Sequence, residues 1–138
     1  MSSKLKKYTK KIDVYKLDPF IRQYIETALW SSHDEFDKSG GESMDTNYGI
    51  EDVAQETLQK MADDCRSFQE ENAKYLRDYP DEQAGHDFWL TRNGHGAGFW
   101  DRGERYVPLD IEQKLTDSAH TYGEVDLYVG YDGLIHQG

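Results

Sequence analysis

Between His86 and Gly103 the chain gathers two His, two Asp, two Arg, two Trp and four Gly into 18 residues: His86-Asp87-Phe88-Trp89-Leu90-Thr91-Arg92-Asn93-Gly94-His95-Gly96-Ala97-Gly98-Phe99-Trp100-Asp101-Arg102-Gly103. An imidazole at a turn, flanked by carboxylates and a guanidinium, is a pattern for general acid/base work, so Asp87, Arg92, His95 and Asp101 are the catalytic candidates. Gly94, Gly96 and Gly98 recur at period two and could expose backbone N–H groups to an anion. The run lacks the Gly-Lys-Ser/Thr ending of a phosphate loop and the helix that follows a dinucleotide fingerprint, and a tight turn that demands glycine accounts for the same spacing. Arg92 and Arg102 are the only bases between Arg77 and Arg105. In so acidic a chain they read first as partners of nearby carboxylates.

Other chemistries find less support. His86 and His95 stand nine residues apart, which matches no standard zinc pattern, and Cys65 is the sole cysteine, so neither a structural zinc site nor an internal disulfide is expected. No nucleophile elbow or Cys/His signature occurs, and no cofactor is implied.

Charge is the second informative feature. The net charge is −11, yet residues 1–12 hold Lys4, Lys6, Lys7, Lys10 and Lys11 with no acid, so the body of the chain is more acidic still. Such a body repels nucleic acid and attracts basic proteins, whereas a lysine arm over residues 1–16 reads as a flexible tail able to touch phosphate. Residues 26–82 carry 16 acids against 5 bases. The candidate binding residues are therefore Asp34, Glu35, Asp37, Glu42 and Asp45 in an acidic loop over 31–49, with Asp63, Asp64, Glu70 and Glu71 on the helix that follows.

These residues need elements to position them. Asp18 can cap a helix with Pro19 at its first position and Phe20, Ile21, Tyr24, Ile25, Ala28 and Leu29 on one face. A long amphipathic helix is predicted from about Ile50 to Tyr79, its stripe running through Val53, Leu58, Met61, Cys65, Phe68, Tyr75 and Leu76, interrupted at Asn72 and closed by Pro80. Residues 86–92 read as a strand, with Asn93-Gly94 turning it into a hairpin whose partner is 98–101. Pro108 opens a third helix through Ile111, Leu115 and Tyr122 with Gly123 past its end. Val125, Leu127 and Val129 alternate with polar positions, and Asp132-Gly133 turns the chain back through Leu134-Ile135-His136 as a second hairpin. Helices first and strands later predict a single α+β domain over 17–138, with helices packed on a small antiparallel sheet made of C-terminal hairpins.

Ten Tyr, five Phe and three Trp supply the core that a chain poor in aliphatic residues would otherwise lack, and Cys65 falls in register with them as a buried thiol. No run approaches the roughly 18 apolar residues that span a bilayer, and no apolar leader opens the chain, so no membrane role and a cytoplasmic location are expected.

The run HDFWLTRNGHGAGFWDRG, preceded by LDPFIRQYIETALWSS and followed by YGEVDLYVGYDGLI, resembles a family of short proteins of tailed bacteriophages and prophages, over roughly Leu17 to Ile135. The lysine-rich start and Glu104-Arg105-Tyr106-Val107 are less typical of it. The resemblance implies an origin, and with it the host bacterial cytoplasm, rather than an activity. Three readings follow. The first is a non-enzymatic accessory protein of host-interaction or counter-defence type, an inhibitor that binds a host or phage protein, such as one that handles nucleic acid, through an acidic surface imitating phosphates. The second is a small enzyme or nucleotide binder using the glycine-rich hairpin over 92–102. The third is a nucleic-acid binder using the lysine arm, against which the acidic body counts. If Trp89, Trp100, Arg92 and Asp101 converge on a cleft they favour the enzyme, and if they pack in the core they leave the acidic surface.

Overall fold

The computed structural model describes residues 11–34 and 41–138, so the lysines of residues 1–10 and the candidates Glu35 and Asp37 lie outside the described residues. Helix α1, Pro19–Ser31, starts as the sequence dictates: Pro19 occupies the first position and Asp18 Oδ1 accepts the Phe20 N–H at 2.7 Å. Upstream, Val14–Lys16 forms a short 3-10 turn capped by Asp13, Val14 is buried, and the Ile12 N–H reaches Gln55 Oε1 at 2.8 Å. The packed chain therefore begins before Leu17, and the expected arm is shorter than residues 1–16.

The long second helix divides. A 3-10 turn at Ile50–Asp52 is followed by α2, Gln55–Glu71, and a single turn α3, Ala73–Leu76. The break falls at Asn72, whose side chain donates to the Phe68 carbonyl at 3.0 Å and to Ser118 Oγ at 2.8 Å. An amide that competes for helix carbonyls ends a helix where it finds a second partner.

The largest departure is at residues 86–101. These do not form a hairpin: Asp81–Arg92 is a helix, α4, entered directly from Pro80 with Asp81 and Glu82 in its first turn. Residues Ala84, Gly85 and every position from Asp87 to Arg92 are buried, so the second half of the helix shows no polar face, and only Asp81, Glu82, Gln83 and His86 reach the surface. A segment buried all round reads as a continuous apolar run, which periodicity cannot tell from a strand. Asn93-Gly94 then ends the helix: the Gly94 N–H returns to the Thr91 carbonyl at 3.1 Å and the His95 N–H to the Leu90 carbonyl at 3.0 Å, with Gly94 at φ 67°. This is a Schellman cap, which needs the same left-handed glycine as a tight hairpin turn. The chain folds back through a 3-10 turn at Phe99–Asp101, where the Phe99 N–H donates to Thr91 Oγ1.

Helix α5, Leu109–His120, follows Pro108, and Gly123 just beyond it takes φ 74°. The C-terminal hairpin forms as expected, with β1, Leu127–Val129, antiparallel to β2, Ile135–Gln137, in the register Leu127↔Gln137, Tyr128↔His136, Val129↔Ile135. The outer edge of β2 is covered, since the Ala54 N–H donates to the Ile135 carbonyl and the Gln137 N–H to Thr57 Oγ1. The molecule is thus an α+β domain in which helices dominate a two-stranded antiparallel sheet.

Helices α1 and α4 pack at the centre, against α2 and the aromatic cluster around Phe68. Gly85 allows the approach, because a Cβ there would run into the carbonyl oxygen of Phe20. In an open helix Gly→Ala stabilises by about 0.5–1 kcal/mol. Here Gly85→Ala is expected to destabilise by about 2 kcal/mol through overpacking. Urea unfolding decides the sign, and a midpoint that is unchanged or raised contradicts the contact.

Burial also marks the alkaline limb of stability. It is the main cause holding the Tyr24 and Tyr79 hydroxyls and the Cys65 thiol above their ordinary values, with Asp87 reinforcing the effect on Tyr79. In the unfolded chain these groups release protons near 9 to 10, while the folded chain keeps them. Stability therefore falls as pH rises through that range. Urea midpoints measured from pH 8 to 10.5 should decline, and Tyr24→Phe should flatten the decline.

Candidate functional site

The four catalytic candidates do not converge. Asp87 is completely buried, accepting from Arg102 Nη2 at 2.6 Å and Nε at 3.0 Å, from Gln83 Nε2 at 2.9 Å, and from the Tyr79 hydroxyl. A carboxylate so saturated has no lone pair left for a substrate proton. Arg92, at the C-terminal end of the same helix and 3% exposed, leaves in another direction. Its Nη1 donates to Asp64 Oδ2 at 2.8 Å and Tyr24 Oη at 3.0 Å, its Nε to the Gly123 carbonyl at 2.9 Å, and its Nη2 to the Tyr122 carbonyl at 2.8 Å. This arginine ties α4 to α1, α2 and the end of α5. Asp101 accepts the Gly98 N–H at 2.9 Å, closing its own turn. His95 is exposed just past the Schellman cap. Trp89 is buried with its indole N–H on Ser31 Oγ at 2.7 Å, whereas Trp100 is half exposed. Both arginines are thus paired with carboxylates.

The acidic candidates scatter as well. Asp34 is buried, and Asp64 is held by Arg92. Glu71 accepts from Tyr122 and Ser67, and Asp63 faces Gln59 and Arg66. Lys60 and Arg66 are exposed among the acids of α2, so that face is mixed in sign. Glu42, Asp45 and Glu70 are exposed.

Concave surface lies elsewhere. A cleft of about 500 Å³ is walled on one side by the C-terminal end of α1 through Ser31, Ser32 and His33, and by Asn93 and His95 after α4. Its other wall is the stretch from Glu124 to Val129, which includes β1. Ser31, His33 and His95 also line a neighbouring cleft with Trp30 and Asp45. That cleft continues past Glu26 to His86 and Glu82. Together these form one groove along α1 and α4 in which the charged residues are Glu26, Asp45, Glu82, Glu124 and Asp126; among the described residues no lysine or arginine lines it, and Arg22 pairs with Glu26 at 3.3 Å at its rim. Trp30, just over half exposed, lies midway.

No family model, curated protein or solved structure matches the chain. The site therefore has to be read from its own geometry. Three imidazoles line the groove. His86 is half-buried with Nδ1 2.9 Å from Thr27 Oγ1, and burial lowers its proton affinity below the ordinary histidine value. Among the described residues no three His, Cys, Asp or Glu side chains are grouped to hold a metal ion, and no helix is long and apolar enough to cross a membrane.

Sequence reasoning placed only Asp45 and His95 at this groove. Ser31, His33, Glu26, Glu124 and Asp126 were missed because they come from two stretches, 26–33 and 124–126, that nothing in the sequence links. The available signal was Trp30, a large aromatic on the polar side of an otherwise regular amphipathic helix.

Proposed function

We propose that the chain is a non-enzymatic binding protein whose acidic surface, focused in the groove along α1 and α4, takes a basic segment of a protein partner. The observation that carries this reading is the acidic lining of the groove: five carboxylates, of which only Glu26 has an ion-pair partner, Arg22 at 3.3 Å, with an exposed tryptophan and no lysine or arginine among the described lining residues. Concave surfaces of one sign concentrate the field and steer an oppositely charged partner. Lysine and arginine side chains gain further from the face of an exposed indole. Basic segments abound in proteins that handle nucleic acid, and the resemblance to short phage proteins would make the chain an accessory factor acting on such a protein in the bacterial cytoplasm by presenting carboxylates where phosphates normally bind. The enzyme reading is left with His95 and Asp101, since Asp87 and Arg92 are committed to ion pairs.

Titration with decalysine tests the proposal. Affinity should fall at least tenfold between about 0.01 and 0.15 M salt, where the Debye length contracts from about 30 to 8 Å. The double reversal Glu124→Lys with Asp126→Lys should weaken binding by a similar factor, while His95→Ala changes it less than about threefold. Binding indifferent to both salt and the reversals would overturn the reading.

A further inference from the structure

We infer that the cleft between β1 and the end of α1 receives an extended, lysine- or arginine-bearing peptide by strand addition to the open edge of β1. The hydrogen-bond register dictates which edge is open. Asp126 and Gly138 exchange both backbone bonds, at 3.3 and 2.8 Å, and the Gly130 N–H donates to the Leu134 carbonyl at 2.9 Å. In an antiparallel pair these bonded positions alternate with positions whose N–H and C=O point the other way. Asp126, Tyr128 and Gly130 thus face β2, and Leu127 and Val129 turn their backbone groups outward.

That outward side is the wall of the 500 Å³ cleft, which Leu127 and Val129 both line. The corresponding edge of β2 is closed by Ala54 and Thr57, and at the start of the β1 edge the Val125 N–H is taken by Asn93 Oδ1 at 2.8 Å. Among the described residues nothing takes the N–H or C=O of Leu127 or Val129. An edge presenting unpaired donors and acceptors two residues apart is the template for an added strand, whose main chain supplies affinity and whose alternate side chains supply specificity. Charge selects the occupant. Glu124 and Asp126 flank the edge, no lysine or arginine is among the described residues that line the cleft, and Tyr128 offers an exposed ring beside it. An extended segment alternating basic and apolar residues matches all three.

This inference rests on the proposed basic partner and names how that partner is held. The probe is the peptide acetyl-Lys-Val-Lys-Val-Lys-Val-amide, followed by amide hydrogen exchange and titration on the full chain. Saturating peptide should slow exchange at the Leu127 and Val129 amides at least tenfold. The Glu-Val counterpart should bind at least tenfold more weakly. Val129→Pro removes an outward N–H without touching the ladder to β2, where an edge proline is tolerated, and should also weaken binding at least tenfold. Circular dichroism on that variant verifies the fold, and methylation of alternate peptide nitrogens gives the same comparison on the unaltered protein. Salt-sensitive binding lost in the Glu124→Lys/Asp126→Lys variant, without protection at Leu127 and Val129, would overturn strand addition and leave the acidic groove standing. Absence of any binding would overturn both. Protection of those two amides without peptide, appearing with dimerisation in sedimentation, would overturn the peptide in favour of a second copy.

Discussion

Replacing Phe68 by alanine is expected to lower the unfolding free energy by about 4 kcal/mol. Phe68 is fully buried on α2, and its ring stacks on Phe88 at 4.1 Å between centroids, with Phe99 at 5.6 Å, Tyr122 at 6.0 Å and Phe20 at 6.2 Å. Those partners come from α1, α4, the turn after it and the end of α5, so one ring joins most of the core. Deleting it removes the transfer free energy of a benzyl group and leaves a cavity whose aromatic walls belong to different elements and cannot close together. Aromatic pairing adds about 0.5–1.5 kcal/mol per contact beyond burial. Urea or thermal unfolding measures the loss. A shift below about 1 kcal/mol would mean that the rings are not packed as described, and Phe68→Leu, which retains most of the volume, should lose less than half as much.

Arg92→Met should cost about 3–5 kcal/mol, the range for breaking a buried charge pair by removing one partner. The methionine keeps much of the volume but leaves the Tyr24 hydroxyl and the Tyr122 and Gly123 carbonyls without their donor. Each unpaired buried group adds about 1–3 kcal/mol, with Asp64 relieved in part because its side chain retains 34% exposure. Arg92→Lys should fail nearly as badly, since one ammonium cannot reproduce a planar fork that serves four acceptors in different directions. The same variants separate structure from catalysis. If Arg92 were a reactive group, its loss would leave stability unchanged, so a midpoint within about 0.5 kcal/mol of the parent would refute the structural role.

Residues with local causes were legible from the chain alone. Asp18 and Pro19 start α1, the stripe from Leu58 to Phe68 is buried on α2, Pro108 and Gly123 bound α5, and Asp132-Gly133 turns the last hairpin; each signal acts within a few residues. The presence of an aromatic core, the buried thiol and the demand for a left-handed glycine at Gly94 follow in the same way.

What only tertiary structure decided is the role of His86 to Arg102 and the location of the groove. Phe88, Trp89, Leu90 and Thr91 suit a strand by intrinsic preference, yet they form a helix because α1, α2 and the returning turn bury them on every side, and packing outweighs a preference worth about 1 kcal/mol. Asn93-Gly94 is compatible with a hairpin or a helix cap, and the helix before it selects the cap. Pairing of Arg92 and Arg102 with carboxylates is expected in so acidic a chain, but which carboxylates they take, Asp64 and Asp87, 28 and 15 residues away in the chain, leaves no local trace. The groove is the extreme case: His33, His95 and Asp126 share no sequence pattern, because a concave surface arises where separate elements fail to fill space, a property of their packing and of no single segment.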